Sequence, residues 1–240
     1  MKTIELTTTA DSIPRGFSAD ISIVIDVLRA SSVIITALAH GTPFILPAAG
    51  IDEARILAVK YPDALLAGER QAVKIPGFDR GNSPMECLSD QSGRPLILTT
   101  TNGTLTLSKV KSSKEILIAS FLNMQTVADY LNSCSAQHIH IACAGTNGKF
   151  SLDDFLMAGG LINRLTNGTF LADDLSVAAT QIYQSGQKNF HQALQQTTHY
   201  QTLLQKGFEQ DLNFCLQENV YNLLGKVIPE GNKQIMISKV

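Results

Sequence analysis

The stretch from Ile21 to Gly41 reads ISIVIDVLRASSVIITALAHG. Its first part, Ile21 to Ile25, has the apolar and β-branched composition of a buried strand, and it ends at Asp26. Arg29 to Ala39 then reads as a helix that Gly41 closes. A strand that leads through a polar turn into a helix is the building unit of α/β proteins.

The same unit recurs along most of the chain, which predicts an α/β fold with a mostly parallel sheet layered with helices. Asp52 is predicted to cap one helix, which Pro62 would stop. In such sheets the ligand site lies outside the carboxyl ends of the strands. The further predicted strands are Phe44–Leu46, Ala64–Ala67, Pro95–Thr99, Glu115–Ala119 and His138–Cys143, and the further helices are Glu53–Tyr61, Leu105–Val110, Met124–Asn132 and Leu152–Leu165.

The pattern changes after Leu165, and we expect one domain over 1–240. Residues 1–165 would form the α/β core with most motifs, and 166–240 a mainly helical completion. In this second part TNGTF, residues 166–170, reads as a turn. Helices are expected over 173–183, in the polar stretch up to about 205, and over 211–224.

Composition excludes several classes of function. The formal net charge is −2, so the chain lacks the basic field that nucleic-acid binding needs. No apolar run reaches membrane-spanning length and no signal-peptide pattern is present, so we expect a cytoplasmic protein. The four cysteines are scattered and form no CxxC pair, which argues against a structural zinc site or a disulfide framework.

A polar stretch, GERQAVKIPGFDRGNSP at 68–84, has neither helical nor strand periodicity. Val73, Ile75 and Phe78 are apolar anchors within it, so we interpret it as a loop pinned over a site for a small anionic ligand. Glu69 and Arg70 are adjacent opposite charges after an apolar strand. They either pair with other residues of the site or bind ligand and metal, and Arg70 suits bidentate recognition of an oxyanion.

Polar residues also follow the other strands. Asp26 can bind a metal or transfer a proton, or simply cap the helix that Arg29 begins. The run TTTNGT at 99–104 offers backbone N–H groups to an oxyanion, and the tripeptide Thr-Asn-Gly recurs at 146–148. Asp154, next to Asp153 in a first helical turn, could complement the helix dipole or join Asp26 and Glu69 around magnesium.

Two familiar motifs, the P-loop and the cysteine-phosphatase loop, are absent, and we assign no functional role to the cysteines or the histidines. CAGTNGK at 143–149 lacks the first glycine and the final Ser or Thr of a nucleotide-binding P-loop. Cys143 with Lys149 imitates the spacing of a cysteine phosphatase, but Cys143 is better interpreted as a small core residue. His199 lies in a polar helical stretch and is interpreted as a surface residue, and the other histidines show no metal-binding spacing.

Six motifs in order resemble the 2-phosphosulfolactate phosphatase (ComB) family. They are IDVLRAS at 25–31, AGER at 67–70, GFDRGNSP at 77–84, LTTTNGT at 98–104, SFLN at 120–123 and CAGTNGKFSLDD at 143–154, with a weaker echo at His199 and 207–215. The resemblance implies a magnesium-dependent phosphatase that acts on 2-phospho-3-sulfolactate, a step towards coenzyme M. The chain departs from the family pattern at Lys149, where arginine is usual, and at Asp153, where glutamate is usual.

The resemblance and the motifs together predict the roles of the site residues. Asp26, Glu69 and Asp154 are expected to hold magnesium and serve catalysis, with water as the nucleophile; Asp26 as a covalent nucleophile is the alternative, although the DxD of haloacid-dehalogenase phosphatases is absent. Substrate contacts are expected from Arg29, Arg70 and Lys149 as cations, and from Asn82, Thr101, Asn102, Gly103 and Thr146 as neutral donors.

The alternatives are a phosphatase for another small phospho-acid or sugar phosphate, and a non-catalytic anion-binding protein on the same scaffold. The absence of tryptophan and a low aromatic content count against nucleotide substrates. We expect neither a nucleic-acid nor a membrane partner, and a homodimer remains open.

Overall fold

A computed structural model describes residues 2–88, 93–165, 170–230 and 234–240. Its strands are β1 (Lys2–Thr7), β2 (Ile21–Ile25), β3 (Ile45–Pro47), β4 (Leu65–Arg70), β5 (Val73–Lys74), β6 (Leu96–Thr99), β7 (Glu115–Ala119), β8 (His138–Cys143), β9 (Phe170–Ala172), β10 (Gly225–Glu230) and β11 (Gln234–Lys239). Its α-helices are α1 (Ala30–Ala39), α2 (Ile51–Lys60), α3 (Met85–Leu88), α4 (Gly103–Val110), α5 (Met124–Ser133), α6 (Leu152–Asn163), α7 (Asp174–Gly186), α8 (Phe190–Leu194), α9 (Thr198–Gln205) and α10 (Glu209–Cys215).

The described strands form one sheet in the order β5-β4-β6-β3-β11-β10-β7-β2-β8-β1-β9. Two blocks are parallel within themselves: β4-β6-β3, and β7-β2-β8-β1-β9. The hairpin of β10 and β11 lies between them and pairs antiparallel to both. The predicted α/β fold with a mostly parallel sheet layered with helices is therefore confirmed.

The inserted hairpin determines the relative direction of the strands in the two blocks. Each antiparallel pairing reverses the strand direction, so the block around β6 runs opposite to the block around β2. Neighbouring strands also twist by about 20–25° per step, and the sheet order places several steps between β2 and β6. The blocks therefore cross at an angle, and carboxyl ends from both contribute to a shared pocket.

Helix α1 packs into this crossing and is buried along nearly its whole length. Val33, Ile35 and Leu38 belong to a core cluster that also contains residues of both blocks, among them Val24 and Leu98. Because α1 meets apolar surface on several sides, its sequence is apolar nearly all round rather than amphipathic. Among the described residues, no helix is both long enough and apolar enough to cross a bilayer.

The C-terminal prediction was wrong in part. Helix α10 ends at Cys215, not at Leu224, and the segment beyond it supplies the two central strands. Their partners, β7 and β3, lie more than a hundred residues earlier in the chain. The sequence also gave no indication of β1 and β9 at the far edge of the sheet. The predicted turn at 166–170 falls mostly outside the described residues.

Two local predictions also need correction. Helix α2 begins at Ile51 after Gly50, so Asp52 is not its cap; Glu53 instead accepts a hydrogen bond from the Ala49 N–H at 2.7 Å. The stretch 68–84 is not structureless throughout, because β4 continues to Arg70 and turns back into β5. Of its three apolar anchors, Ile75 and Phe78 are buried, whereas Val73 is exposed.

His140, on β8, forms a buried polar cluster away from the strand ends that carry Asp26. Its Nε2 lies 2.9 Å from Thr7 Oγ1, its Nδ1 lies 3.3 Å from Ser22 Oγ, and its ring packs against Phe17. Burial lowers its pKa to about 4. The ring is therefore held neutral at pH values where a histidine of the unfolded chain takes up a proton.

This cluster predicts a loss of stability in mild acid. Unfolded His140 binds a proton near its ordinary pKa of 6.5 and the folded residue only near 4, so its contribution is complete above 6.5 and is lost as the pH falls towards 4. The loss amounts to about 3 kcal/mol at most. Urea unfolding at pH 7.5 and pH 5 should show it, and a His140→Gln variant should show a flatter pH dependence. An unchanged pH dependence in that variant would contradict this assignment.

Candidate active site

A cavity of about 160 Å³ opens at the carboxyl ends of strands from both blocks. Residues that follow β2, β6 and β8 meet the end of β4 there, and α9 covers one side. The lining includes seven of the eleven residues predicted from the sequence for the site. They are Asp26, Arg29, Glu69, Asn82, Thr101, Asn102 and Thr146.

Asp26 directly follows β2 and is a buried residue of the cavity lining. Its Oδ1 accepts a hydrogen bond from the Ala30 N–H at 3.1 Å, whereas its Oδ2 has no hydrogen-bond partner within the described ranges. Burial raises the pKa of Asp26 to about 6, and the charges of Asp153 and Glu69 act in the same direction. The group is thus a carboxylate with one oxygen available to a ligand and an affinity for protons near neutral pH.

Gly103 allows the start of α4 to approach this carboxylate. A Cβ at Gly103 would lie 2.9 Å from Asp26 Oδ2 and 3.0 Å from the Ala30 Cβ. Gly103 was predicted as a neutral donor, but its role here is to leave room for the Asp26 carboxylate. Its position beside Asp26 explains why a glycine stands there.

Glu69 joins two loops at the wall of the cavity. Its Oε1 accepts from the backbone N–H and the hydroxyl of Thr101, both at 3.0 Å, and its Oε2 accepts from the Ala72 N–H at 2.7 Å. Gln71 and Ala72 adopt positive φ angles, so the turn between β4 and β5 is an unusual one that this carboxylate stabilises. Both oxygens of Glu69 thus already have protein donors.

Asp154 lies behind the cavity rather than in its lining. Its Oδ1 accepts from the Val27 N–H at 2.8 Å and its Oδ2 from the Gly145 N–H at 2.9 Å. Burial raises its pKa well above the ordinary value, and the charges of Asp153 and Asp26 add to that effect. In this position it ties the loop after β2 to the loop after β8.

Arg29 is a buried cation whose guanidinium is held from the side of α10. Its Nη1 donates to Asp211 Oδ2 at 2.5 Å, and the Phe208 ring lies 3.9 Å from the guanidinium carbon. Ser83 donates to the other oxygen of Asp211 at 2.6 Å. Within the described part of the chain the remaining N–H groups of Arg29 have no hydrogen-bond acceptor, so they can serve a ligand in the cavity.

Asn82 and the two Thr-Asn-Gly loops complete the polar lining. Asn82 Oδ1 is buried and has no hydrogen-bond partner in the residues that the structure describes. The two loops contact each other, since the Asn147 N–H donates to Asn102 Oδ1 at 3.0 Å. The repeated tripeptide noticed in the sequence therefore corresponds to a direct contact at the site.

The structure does not bring Arg70 and Lys149 to this cavity. Arg70 turns back over β6 and donates to Thr99 Oγ1 at 3.1 Å and to its neighbour's carbonyl, Glu69 O, at 2.6 Å. Lys149 is exposed and borders a separate cavity of about 460 Å³. Their predicted role in substrate binding therefore lacks support from their positions.

Two basic residues that were not among the predicted site residues lie at the cavity instead. Lys206, at the end of α9, lines it and donates to the Gln71 carbonyl. His199 also lines it, so the interpretation of His199 as a surface residue was wrong. Residues 195–206 are mostly polar, so their sequence predicts an exposed helix. Buried Leu203 is the main apolar residue by which α9 packs inward.

His199 is held by the loop after β8 and the start of α6. Its Nδ1 lies 3.0 Å from Thr146 Oγ1 and 3.7 Å from Asp153 Oδ1. Burial alone would lower the pKa of His199, but the hydrogen bond and charge of Asp153 outweigh it and raise the pKa above 6.5. For Asp153, burial alone would raise the pKa. The hydrogen bond and charge of His199 outweigh burial and lower it.

The donor set fits one divalent cation, though not through the three predicted acids together. No group of three His, Cys, Asp or Glu side chains suitable for a metal occurs among the described residues. Glu69 and Asp154 already have N–H donors at both oxygens, whereas Asp26 Oδ2 and Asn82 Oδ1 have none. One carboxylate and one amide oxygen, completed by water and phosphate, match the preference of Mg²⁺.

Comparisons with known proteins agree with the motifs. A family model described as 2-phosphosulpholactate phosphatase matches residues 7–229. A protein of Thermotoga maritima is 40% identical over 208 residues, which cover 86% of this chain and 88% of that one. A protein of Clostridium perfringens is 36% identical over 228 residues, 92% of each chain. Both relatives are described as probable 2-phosphosulfolactate phosphatases.

Proposed function

The chain belongs to the 2-phosphosulfolactate phosphatase family, and on that basis we propose that it hydrolyses 2-phospho-3-sulfolactate to 3-sulfolactate and phosphate. The observation that carries the proposal is the match of almost the whole chain to the family, at residues 7–229. The proposal includes dependence on Mg²⁺ and a place in coenzyme M synthesis.

The charges at the cavity support a need for a metal. Phosphate, carboxylate and sulfonate together give the substrate about four negative charges near neutral pH. The cavity offers Arg29, Lys206 and His199, but it also contains Asp26 and Glu69. Because Arg29 is already paired with Asp211, the protein alone does not neutralise such an anion.

We assign Asp26 and Asn82 as the residues that would hold Mg²⁺. When bound, the ion would polarise the phosphoryl oxygens and offset the negative charge that develops during transfer. Glu69 and Asp154 would act by positioning, since each fixes two loops of the site through backbone N–H groups. This division assigns the three predicted acids to two different roles.

The chain's own residues supply substrate binding. Arg29 presents its free N–H groups to the phosphate or the carboxylate, and Lys206 offers a second cation on the α9 side. One oxygen of Asp26 accepts from the Ala30 N–H and the other is reserved for the metal, so the protons of the attacking water remain on the phosphate product. The water adds to phosphorus as the bond to the lactate oxygen breaks.

The function can be tested by phosphate release. We expect the purified protein to release phosphate from 2-phospho-3-sulfolactate with Mg²⁺ and to lose about a hundredfold or more of that rate with EDTA, since a metal supplies several kcal/mol to such a reaction. 2-Phospholactate, which lacks the sulfonate, should bind more weakly. Tight binding of the phosphosulfolactate without phosphate release would favour a non-catalytic anion-binding protein, and turnover of neither compound would reject the assignment.

A further inference from the structure

His199 belongs to a chain of hydrogen bonds that determines where its protons reside. Ser151 Oγ donates to Asp153 Oδ1 at 2.5 Å. Ser151 Oγ also lies 3.1 Å from Thr146 Oγ1, and since its own proton is used, it accepts from Thr146. Thr146 Oγ1, 3.0 Å from His199 Nδ1, then has no proton left to give and must accept from the Nδ1–H.

The hydrogen-bond chain leaves Nε2 as the exchangeable position of the ring. Nε2 has no protein partner among the residues described here, and His199 lines the same cavity as Asp26 and Arg29. Ser151 and Asp153 are buried, so the chain is shielded from water along most of its length. Asp153 holds the ring in one orientation and favours its protonated form.

A second cavity borders the same hydrogen-bond chain. It has a volume of about 460 Å³ and is lined by Thr146, Ser151, Asp153 and His199, whereas Asp26 is not part of its lining. His199 therefore stands in the wall between the two cavities, because it lines both.

We propose that His199 is the general acid that protonates the departing 2-hydroxy-acid oxygen, with Asp153 and Ser151 as its positioning residues. This inference rests on the proposed phosphatase function. In the step, the bond from phosphorus to the lactate oxygen breaks and a bond from phosphorus to the water oxygen forms. The Nε2 proton goes to the lactate oxygen, which leaves as an alcohol, and both protons of the water remain on the released phosphate. Solvent then returns a proton to Nε2.

The dependence of rate on the leaving group separates this role from a structural one. An alkoxide of high pKa needs a proton as it departs, whereas one of low pKa does not. 2-Phospholactate and 2-phospho-3,3,3-trifluorolactate have the same skeleton, but fluorine makes the second a far better leaving group. We expect His199→Gln to lower kcat about a hundredfold on phospholactate, within the range for general acid catalysis, and only a fewfold on the trifluoro compound.

Controls make the outcome unambiguous. His138→Gln changes a half-exposed histidine that pairs with Glu5 and does not line the cavity, so its kcat should match the wild type on both compounds. Ser151→Ala interrupts the hydrogen-bond chain and should reproduce a smaller loss with the same selectivity, which covers the case that His199→Gln does not fold. Equal losses on both compounds would overturn the general acid while leaving the phosphatase assignment intact. No turnover by the wild type would overturn both.

Discussion

Replacing Asp26 with asparagine is expected to lower kcat by about a thousandfold, because it would weaken the hold on a metal that supplies several kcal/mol to the reaction. Asparagine keeps an oxygen for the Ala30 N–H, so the loop after β2 should retain its shape. Its amide oxygen binds a divalent cation more weakly than a carboxylate, and among the described lining residues Asp26 is the acid whose second oxygen has no protein donor. Steady-state phosphate release from phosphosulfolactate with Mg²⁺ measures the loss.

The same variant should be at least as stable as the wild type. Burial raises the pKa of Asp26 to about 6 from 3.8. Above pH 6 the ionised carboxylate therefore lowers the free energy of unfolding by roughly 1–3 kcal/mol. The gain from asparagine should therefore appear at pH 7 and vanish below pH 4. Asp52→Asn, at an exposed acid on α2, is the matched control and should change neither property. Near-normal kcat in Asp26→Asn would disprove the assigned role.

Breaking the buried pair of Arg29 and Asp211 is expected to have the largest effect on folding. Both side chains are almost fully buried, and Arg29→Met would leave Asp211 as a charge without its cation. Loss of one partner from a buried pair typically costs about 3–5 kcal/mol. We expect Arg29→Met to lose stability in that range by urea unfolding and to have no measurable phosphatase activity.

A double variant distinguishes the charge from the packing. Arg29→Met with Asp211→Leu removes both charges, so it should regain most of the stability without regaining activity. Lys114→Met breaks an exposed pair with Asp20 and should cost no more than about 1 kcal/mol. If the double variant were as unstable as the single one, the loss would come from packing and not from an unpaired charge.

The sequence predicted the parallel strands well because each carries its own signal. Ile21–Ile25, Glu115–Ala119 and His138–Cys143 match the observed strands residue for residue. These are apolar runs followed by polar turns, a pattern that depends on local composition alone. Strands β10 and β11 depend instead on pairing with β7 and β3, and the sequence alone offers no evidence of that pairing.

The candidate site likewise contains residues whose positions the local sequence predicts and residues whose positions it does not. Asp26 and Asn102 follow strands and Glu69 lies near the end of one, so their positions come from the topology of the sheet. His199, Lys206 and Asp211 reach the site because helices after α7 fold back over it, and no local pattern predicts that return. Arg70 shows the opposite failure, since a charge next to Glu69 in sequence turns away to Thr99.

The position of the C-terminal hairpin has a consequence for biosynthesis. Strands β10 and β11 join the two blocks at the middle of the sheet, yet they leave the ribosome after every strand that they connect. Until they emerge, β7 and β3 present open edges, which are prone to pair with other chains. Nascent chains and premature termination products should therefore depend on chaperones or be cleared by proteases, and a stop codon before Gly225 should abolish accumulation of the protein in cells.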